Sequence, residues 1–273
     1  MLASLVAKTR VRLDIALVER GLAPSRARAQ SLILAGQVRV DGELADKAGR
    51  AVAPEAAIEV AGQDHPWVSR GGVKLAAALD AFGVDPTGRR CLDVGASTGG
   101  FTDVMLSRGA AHVVALDVGR GQLDWKLRSD PRVAVIEGVN ARLLTQGDVP
   151  GPFGLVTVDV SFISLRLVLP ALVPVLAPDG DLVALVKPQF EAGRGQVGKG
   201  GVVRDPEVRE AAIVAVIEAA RELGLECRGR VPSPIEGPAG NVEELAWFTH
   251  ADAFAVPRRP EGDDLGAVGD PAP

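Results

Sequence analysis

Short, nearly unbroken apolar runs recur from residue 91 onward, and each one ends in glycine or a charged residue. Cys91–Val94 ends at Gly95, Val113–Leu116 at Asp117, Val133–Ile136 at Glu137, Leu155–Val158 at Asp159 and Leu182–Val186 at Lys187. Runs of this length suit strands buried on both faces. Between them lie segments with helical periodicity: Phe101 to about Arg108, Ser164 to about Leu176, and Pro206 to Leu223. Further strands are expected at Glu226–Val231 and Val242–Thr249. Alternation of this kind predicts an α/β fold, a doubly wound and mostly parallel sheet with ligands at the carboxyl ends of its strands.

The pattern before residue 61 is different. Leu13, Leu17 and Val18 mark one face of a short helix ended by Gly21. Ser25 can cap a second helix, with Arg26, Arg28 and Gln30 on one side and Leu32–Leu34 on the other. Val38–Val40 reads as a strand followed by a turn, and Ala57–Val60 as another strand. The expected organisation is a small α+β unit over residues 1–60, a linker over 61–70, and the main domain over 71–256. A Pro/Gly/Asp-rich tail follows over 257–273, with a composition that favours disorder. In the linker, Pro66 favours extended backbone and Trp67 is expected to dock on one domain. Gly71-Gly72 then opens a helix with Lys74 in its first turn, where a cation opposes the helix dipole.

Charge changes the picture only locally. The whole chain carries −5, but residues 1–40 hold seven basic residues against two acidic ones, a local +5 that points to an anionic partner. The two cysteines, Cys91 and Cys227, have no metal-type spacing and are read as small buried residues of a reducing compartment. No apolar run reaches the length of a membrane span, and the start of the chain lacks a signal-peptide pattern, so a cytoplasmic location is expected.

The candidate chemistry centres on residues 90–117. Gly95-Ala96-Ser97-Thr98-Gly99-Gly100 forms a glycine turn between strand and helix, and Asp117 tips the next strand, placed to hydrogen-bond a ribose diol. G-x-x-x-G-G is not the dinucleotide spacing G-x-G-x-x-G, and Asp93 would repel a pyrophosphate. S-adenosylmethionine, a nucleoside cofactor without phosphates, fits better, although an ordinary strand-to-helix turn fits the same residues. Lys187 follows Leu-Val-Ala-Leu-Val, so its stem is expected to be buried. A desolvated amine can accept a hydroxyl proton, with Asp159 the natural carboxylate partner. A strand-end lysine that reaches back to water is the alternative. The turn Asp159-Val160-Ser161-Phe162 lacks the proline pair usual for exocyclic amino methylation, and neither cysteine is placed for attack on a pyrimidine ring. A hydroxyl acceptor remains.

Two resemblances sharpen these expectations. R-L-D-x-x-L-V-E-R-G-L-A-x-S-R-x-x-A-Q-x-L-I-x-x-G-x-V-x-V-D-G, from Arg12 to about Val60, resembles the RNA-binding domain named after the small-subunit ribosomal protein S4. That resemblance implies structured RNA as partner, with Arg12, Arg26 and Arg28 as contacts. V-S-R-G-G-x-K-L, L-D-V-G-A-S-T-G-G-F-T-D, D-V-S-F-I-S-L, L-V-K-P-Q-F-E and G-N-V-E together resemble the TlyA family, hemolysin A-like rRNA 2′-O-methyltransferases with an FtsJ-like, class I Rossmann-like methyltransferase domain. The resemblance implies methyl transfer from S-adenosylmethionine to a cytidine 2′-hydroxyl in ribosomal RNA, on one or both subunits, without a metal. The family's Lys-Asp-Lys-Glu tetrad falls on Lys74, Asp159, Lys187 and Glu243. Its cofactor residues fall on Gly95, Ala96, Ser97, Gly99, Gly100, Asp117, Asn140 and Asp159. One departure is His65-Pro66-Trp67-Val68, where some relatives begin this linker motif with arginine.

Three other readings compete. A non-catalytic RNA-binding or ribosome-assembly factor would be expected to have lost part of the tetrad or the glycine turn, and both are intact. A membrane-active hemolysin needs an apolar or amphipathic segment that the pattern does not show. A nicotinamide dehydrogenase is disfavoured by the glycine spacing.

Overall fold

The computed structural model describes residues 10–254, apart from Pro24, residues 61–64, Pro150 and Pro238. The first part of the expected linker and the expected disordered tail lie outside the described residues. Residues 11–60 contain β1 (Val11–Arg12), α1 (Leu13–Glu19), α2 (Arg26–Leu34), β2 (Val38–Val40), β3 (Glu43–Leu44), β4 (Ala51–Val52) and β5 (Ile58–Val60). The helices and two small antiparallel sheets, β1–β4 and β3-β2-β5, enclose a core of Leu13, Leu17, Ile33 and Val38. Ser25 caps α2 by accepting from the Arg28 backbone N–H, as its position in the sequence predicts.

The larger part begins with α3 (Gly71–Phe82), β6 (Arg90–Val94), α4 (Gly100–Ser107), β7 (His112–Asp117), α5 (Trp125–Arg128), β8 (Val133–Glu137) and β9 (Phe153–Val158). It continues with α6 (Leu165–Leu172), β10 (Leu176–Val186), α7 (Pro188–Glu191), α8 (Pro206–Glu222), β11 (Leu225–Pro232) and β12 (Glu244–His250). The seven-stranded sheet has the order β11-β12-β10-β9-β6-β7-β8. Only β12 runs against its neighbours. Leu75 and Leu79 of α3, Val104 and Met105 of α4 and Leu127 of α5 cover one face. Val168 and Leu172 of α6 and Ile213 and Val216 of α8 cover the other. Burial on both faces is why the central strands read as apolar runs rather than alternating ones.

Two expectations need correction. The helix predicted to reach Leu176 stops at Leu172, followed by a single 3₁₀ turn and then β10. Pro174, in that turn, has no N–H to continue an α-helix, whereas Pro170 is tolerated inside α6. Cys91 is buried, with burial pushing its thiol up to about 12, but Cys227 is only half-buried on the edge strand β11. Both are free thiols.

Candidate active site

Strand order reverses between β6 and β9, and the carboxyl ends of these two strands meet. The Asp159 N–H donates to the Val94 carbonyl at 2.9 Å. Gly95 sits directly over this junction with φ +83°, and a Cβ there would lie 2.4 Å from the Asp159 carbonyl oxygen. Only glycine combines that left-handed backbone with that close approach. The turn then passes through Ser97, also left-handed at φ +48°, into α4. Asp117, at the tip of β7, ties the turn down: its carboxylate accepts from the Ser97 N–H at 2.8 Å and from the Gly119 N–H at 2.6 Å.

A cavity of about 480 Å³ opens at this end of the sheet. Of the sequence-predicted residues, Lys74, Asp159, Lys187, Glu243, Gly95, Ala96, Ser97 and Gly100 line it. Gly99 and Asp117 stand behind this lining, within the glycine turn and at the β7 tip. Asn140 lies outside the cavity at the end of β8, exposed, where its side chain caps a short 3₁₀ turn by accepting from the Arg142 N–H.

The four candidate catalytic residues form two ion pairs. Lys187 Nζ lies 2.5 Å from Asp159 and donates to Ser161 Oγ at 2.9 Å. Lys74 Nζ lies 2.5 Å from Glu243 Oε2, and both side chains are buried. The cation that looked misplaced in the first turn of α3 therefore has a buried partner brought from just before β12. Burial pushes the Asp159 carboxyl up, but Lys187 and Lys74 together outweigh it and hold the group below its ordinary value. Asp93, wholly enclosed beneath α4, goes the other way. Burial, reinforced by nearby Asp159, pushes it up to about 7 despite hydrogen bonds from Thr102 and Thr157.

Packing around the site comes from several elements. Trp67 lies against Gly72, where a Cβ would come within 2.3 Å of the indole, and the Val68 N–H donates to buried Asp103. The linker thus docks on the α3–α4 side, as the tryptophan suggested. Asn241 pins the end of a glycine-rich loop, residues 192–201, by accepting from the Val203 N–H and donating to the Gly201 carbonyl.

In the small N-terminal unit, Arg12 and Arg26 converge on buried Asp14, at 3.0 Å each, and Gln30 joins them at 2.9 Å. Arg28 instead pairs with Asp124, just before α5, at 2.9 Å. Three residues escaped the sequence reading. Asp14 was visible only as an acid amid arginines. Glu191 accepts from Ser164 Oγ and the Leu165 N–H and so ties α7 to the start of α6. Its signal was its place four residues after Lys187. Phe162, 91 % exposed at the cavity mouth with φ +65°, was visible only as the end of the turn after Asp159.

Among the described residues no group of three His, Cys, Asp or Glu could hold a metal, and no helix is long and apolar enough to cross a membrane.

Residues 67–250 match the family model for FtsJ-like methyltransferases, and residues 11–58 match that for the S4 domain. The chain is 56 % identical to the 16S/23S rRNA (cytidine-2′-O)-methyltransferase TlyA of Mycobacterium tuberculosis, over 88 % of this chain and 90 % of that one. It is 42 % identical to hemolysin A of Brachyspira hyodysenteriae, over 87 % and 99 %. A solved structure from Streptococcus thermophilus, labelled a candidate hemolysin, superposes with a TM-score of 0.70 at 42 % identity and covers 90 % of each chain.

Proposed function

Since the chain belongs to the TlyA family of FtsJ-like methyltransferases, we propose that it transfers a methyl group from S-adenosylmethionine to the 2′-hydroxyl of a cytidine in ribosomal RNA. The observation that carries this reading is the convergence of Lys74, Asp159, Lys187 and Glu243 on one cavity beside the glycine turn.

The turn suits the cofactor. Gly95 lets the turn pass tightly against the Asp159 carbonyl, and Ala96 and Ser97 line the cavity. Asp117, held by the Ser97 and Gly119 N–H groups, would accept from the ribose diol, and Asn140 would stand toward the adenine side. When bound, S-adenosylmethionine supplies an electrophilic methyl group on a sulfonium that departs as a neutral thioether.

The chain's residues supply position and proton handling. Once its own ammonium has passed a proton to solvent, Lys187 Nζ accepts the proton of the acceptor 2′-hydroxyl as the oxygen bonds to the methyl carbon. Asp159, already anionic beside it, stabilises the ammonium that forms. Lys74, held by Glu243, adds positive potential at Asp159 and orients the acceptor oxygen. Alignment within one rigid cavity contributes much of the acceleration. Phe162, exposed at the mouth, offers a ring on which an unstacked base can rest. Arg12 and Arg26, arrayed on Asp14, would meet RNA phosphates, which anchor without reading sequence.

The test uses labelled S-adenosylmethionine, 30S and 50S subunits from a strain lacking the protein, and Lys187→Ala beside the wild type. Nucleosides are identified by mass spectrometry after digestion. A 2′-O-methylcytidine that forms with wild type and falls by roughly 10²- to 10⁴-fold with the variant is expected. No transfer to either subunit despite cofactor binding would overturn the reading, and undiminished transfer by the variant would remove Lys187 from its role.

A further inference from the structure

Lys187 has two partners that constrain it in different ways. Its Nζ lies 2.5 Å from the Asp159 carboxylate, but no N–H is aligned on that oxygen, so the contact is one of charge. The aligned hydrogen bond runs from Nζ to Ser161 Oγ, at 2.9 Å. Charges attract at any angle, whereas a hydrogen bond weakens steeply as its angle closes. Asp159 therefore fixes where the nitrogen sits, and Ser161 fixes how it is turned.

Ser161 is itself held in place. It lines the same cavity as Lys187, two residues past Asp159 in the turn between β9 and α6. Phe162 follows it with a left-handed backbone at φ +65°, an outlier for a bulky residue of the sort that clusters where a fold fixes a functional group. Farther along the turn, Ser164 Oγ and the Leu165 N–H donate to Glu191 at 2.5 and 2.7 Å. Glu191 belongs to α7, the helix that Lys187 opens as its N-cap. A buried carboxylate thus pins the turn that carries Ser161 to the segment that carries Lys187.

Building on the methyltransferase reading, we infer that Ser161 is a positioning residue that aims the lone pair of Lys187 at the acceptor 2′-hydroxyl. An ammonium carries three N–H donors, set in fixed tetrahedral directions. Ser161 takes one, and the charge of Asp159 draws a second. The third has no protein acceptor among the described residues and is left for the cavity that Lys187 lines. It is the proton shed before reaction, because the other two are held by an oxygen or an anion. The lone pair then takes the third direction, toward the docked hydroxyl. The covalent step is unchanged: the oxygen–carbon bond forms as the carbon–sulfur bond breaks to a neutral thioether, and the hydroxyl proton goes to Nζ. An amine turned away would present an N–H bond to the acceptor and could take no proton from it.

The experiment uses the full-length enzyme, labelled S-adenosylmethionine and whichever ribosomal subunit the wild type methylates. Wild type, Ser161→Ala, Ser161→Thr, Lys187→Ala and the double variant Ser161→Ala/Lys187→Ala are compared by kcat, KM and single-turnover rate, with melting temperature and cofactor binding measured alongside. Ser161→Ala is expected to lower kcat by roughly ten- to a hundredfold, with KM for the subunit, cofactor affinity and melting temperature unchanged. Ser161→Thr keeps the hydroxyl and is expected to restore most of the rate. In the Lys187→Ala background the loss of Ser161 is expected to cost nothing further, since a residue that acts through Lys187 has nothing left to orient. A Ser161→Ala enzyme with the wild-type kcat overturns the assignment. So does one whose loss lies in KM, in melting temperature, or equally in the Lys187→Ala background, and so does a threonine variant as slow as the alanine one. A wild type that methylates no ribosomal RNA overturns the functional reading itself, and this inference with it.

Discussion

Lys74 and Glu243 are 169 residues apart in the chain, yet their charged groups lie 2.5 Å apart inside the protein. One comes from the first turn of α3 and the other from the residue before β12, so the pair joins opposite ends of the methyltransferase domain. Burying one member without the other leaves an uncompensated charge. Glu243→Ala is therefore expected to destabilise the protein by about 3–5 kcal/mol in urea unfolding. The double variant Lys74→Leu/Glu243→Leu should recover most of that loss while methyl transfer stays abolished. Stability that does not return in the double variant would mean the residues act separately.

Gly95 offers a test of the junction between β6 and β9. A methyl group there meets the Asp159 carbonyl and imposes a strained backbone at φ +83°. Gly95→Ala is expected to cost about 1–3 kcal/mol of stability and to weaken cofactor binding measurably by calorimetry. Both effects should be larger than for Gly121→Ala, which shares the left-handed backbone but has nothing within 4 Å of its Cβ position.

Asp93 makes stability depend on pH in an unusual direction. Its carboxyl titrates near 7 in the folded protein, well above an unfolded aspartate. Between about pH 4 and 7 the folded state therefore holds a proton that the unfolded chain has lost, so this residue lowers stability as pH rises through that window. The loss amounts to something on the order of 4 kcal/mol. Asp93→Asn should remove it. The gap in melting temperature between variant and wild type is expected to be small at pH 4 and to widen in the variant's favour by pH 7.5. A gap that does not change with pH would contradict this account.

Asp14 tests whether the arginines of the N-terminal unit act as an organised array. Arg12, Gln30 and Arg26 all hydrogen-bond its buried carboxylate and hold it well below the usual range. Asp14→Asn raises the net charge beside Arg12 and Arg26 by one, and charge alone predicts tighter RNA binding. Loss of the carboxylate that orients two guanidinium groups predicts the opposite. Weaker binding of an rRNA fragment, by roughly tenfold, is expected from fluorescence anisotropy at fixed salt.

Much of this organisation is legible in the chain. Strands such as Val113–Leu116 and Leu182–Val186 stand out because both their faces are buried, which removes the polar alternation an exposed sheet would carry. Ser25 and Pro206 mark helix starts through local chemistry, the one by a side-chain cap and the other by a residue that tolerates the first helical turn. Gly95 and Asp159 are conspicuous because each ends an apolar run. The end of α6 was harder to place, since Pro170 and Pro174 look alike in sequence, yet the first lies inside α6 and the second in the 3₁₀ turn that follows it.

The sequence by itself determined the order of strands and helices, the glycine turn and the polar residues at the strand ends, because these follow from periodicity and backbone geometry within a few residues. Tertiary structure alone decided which charges are paired. Lys74 found Glu243 rather than water, and Asp14 gathered Arg12 and Arg26 while Arg28 turned to Asp124. The reason is physical. A helix or strand is specified by neighbours along the chain, but the worth of a charge or a polar atom depends on what surrounds it, and those surroundings exist only once distant segments have packed together.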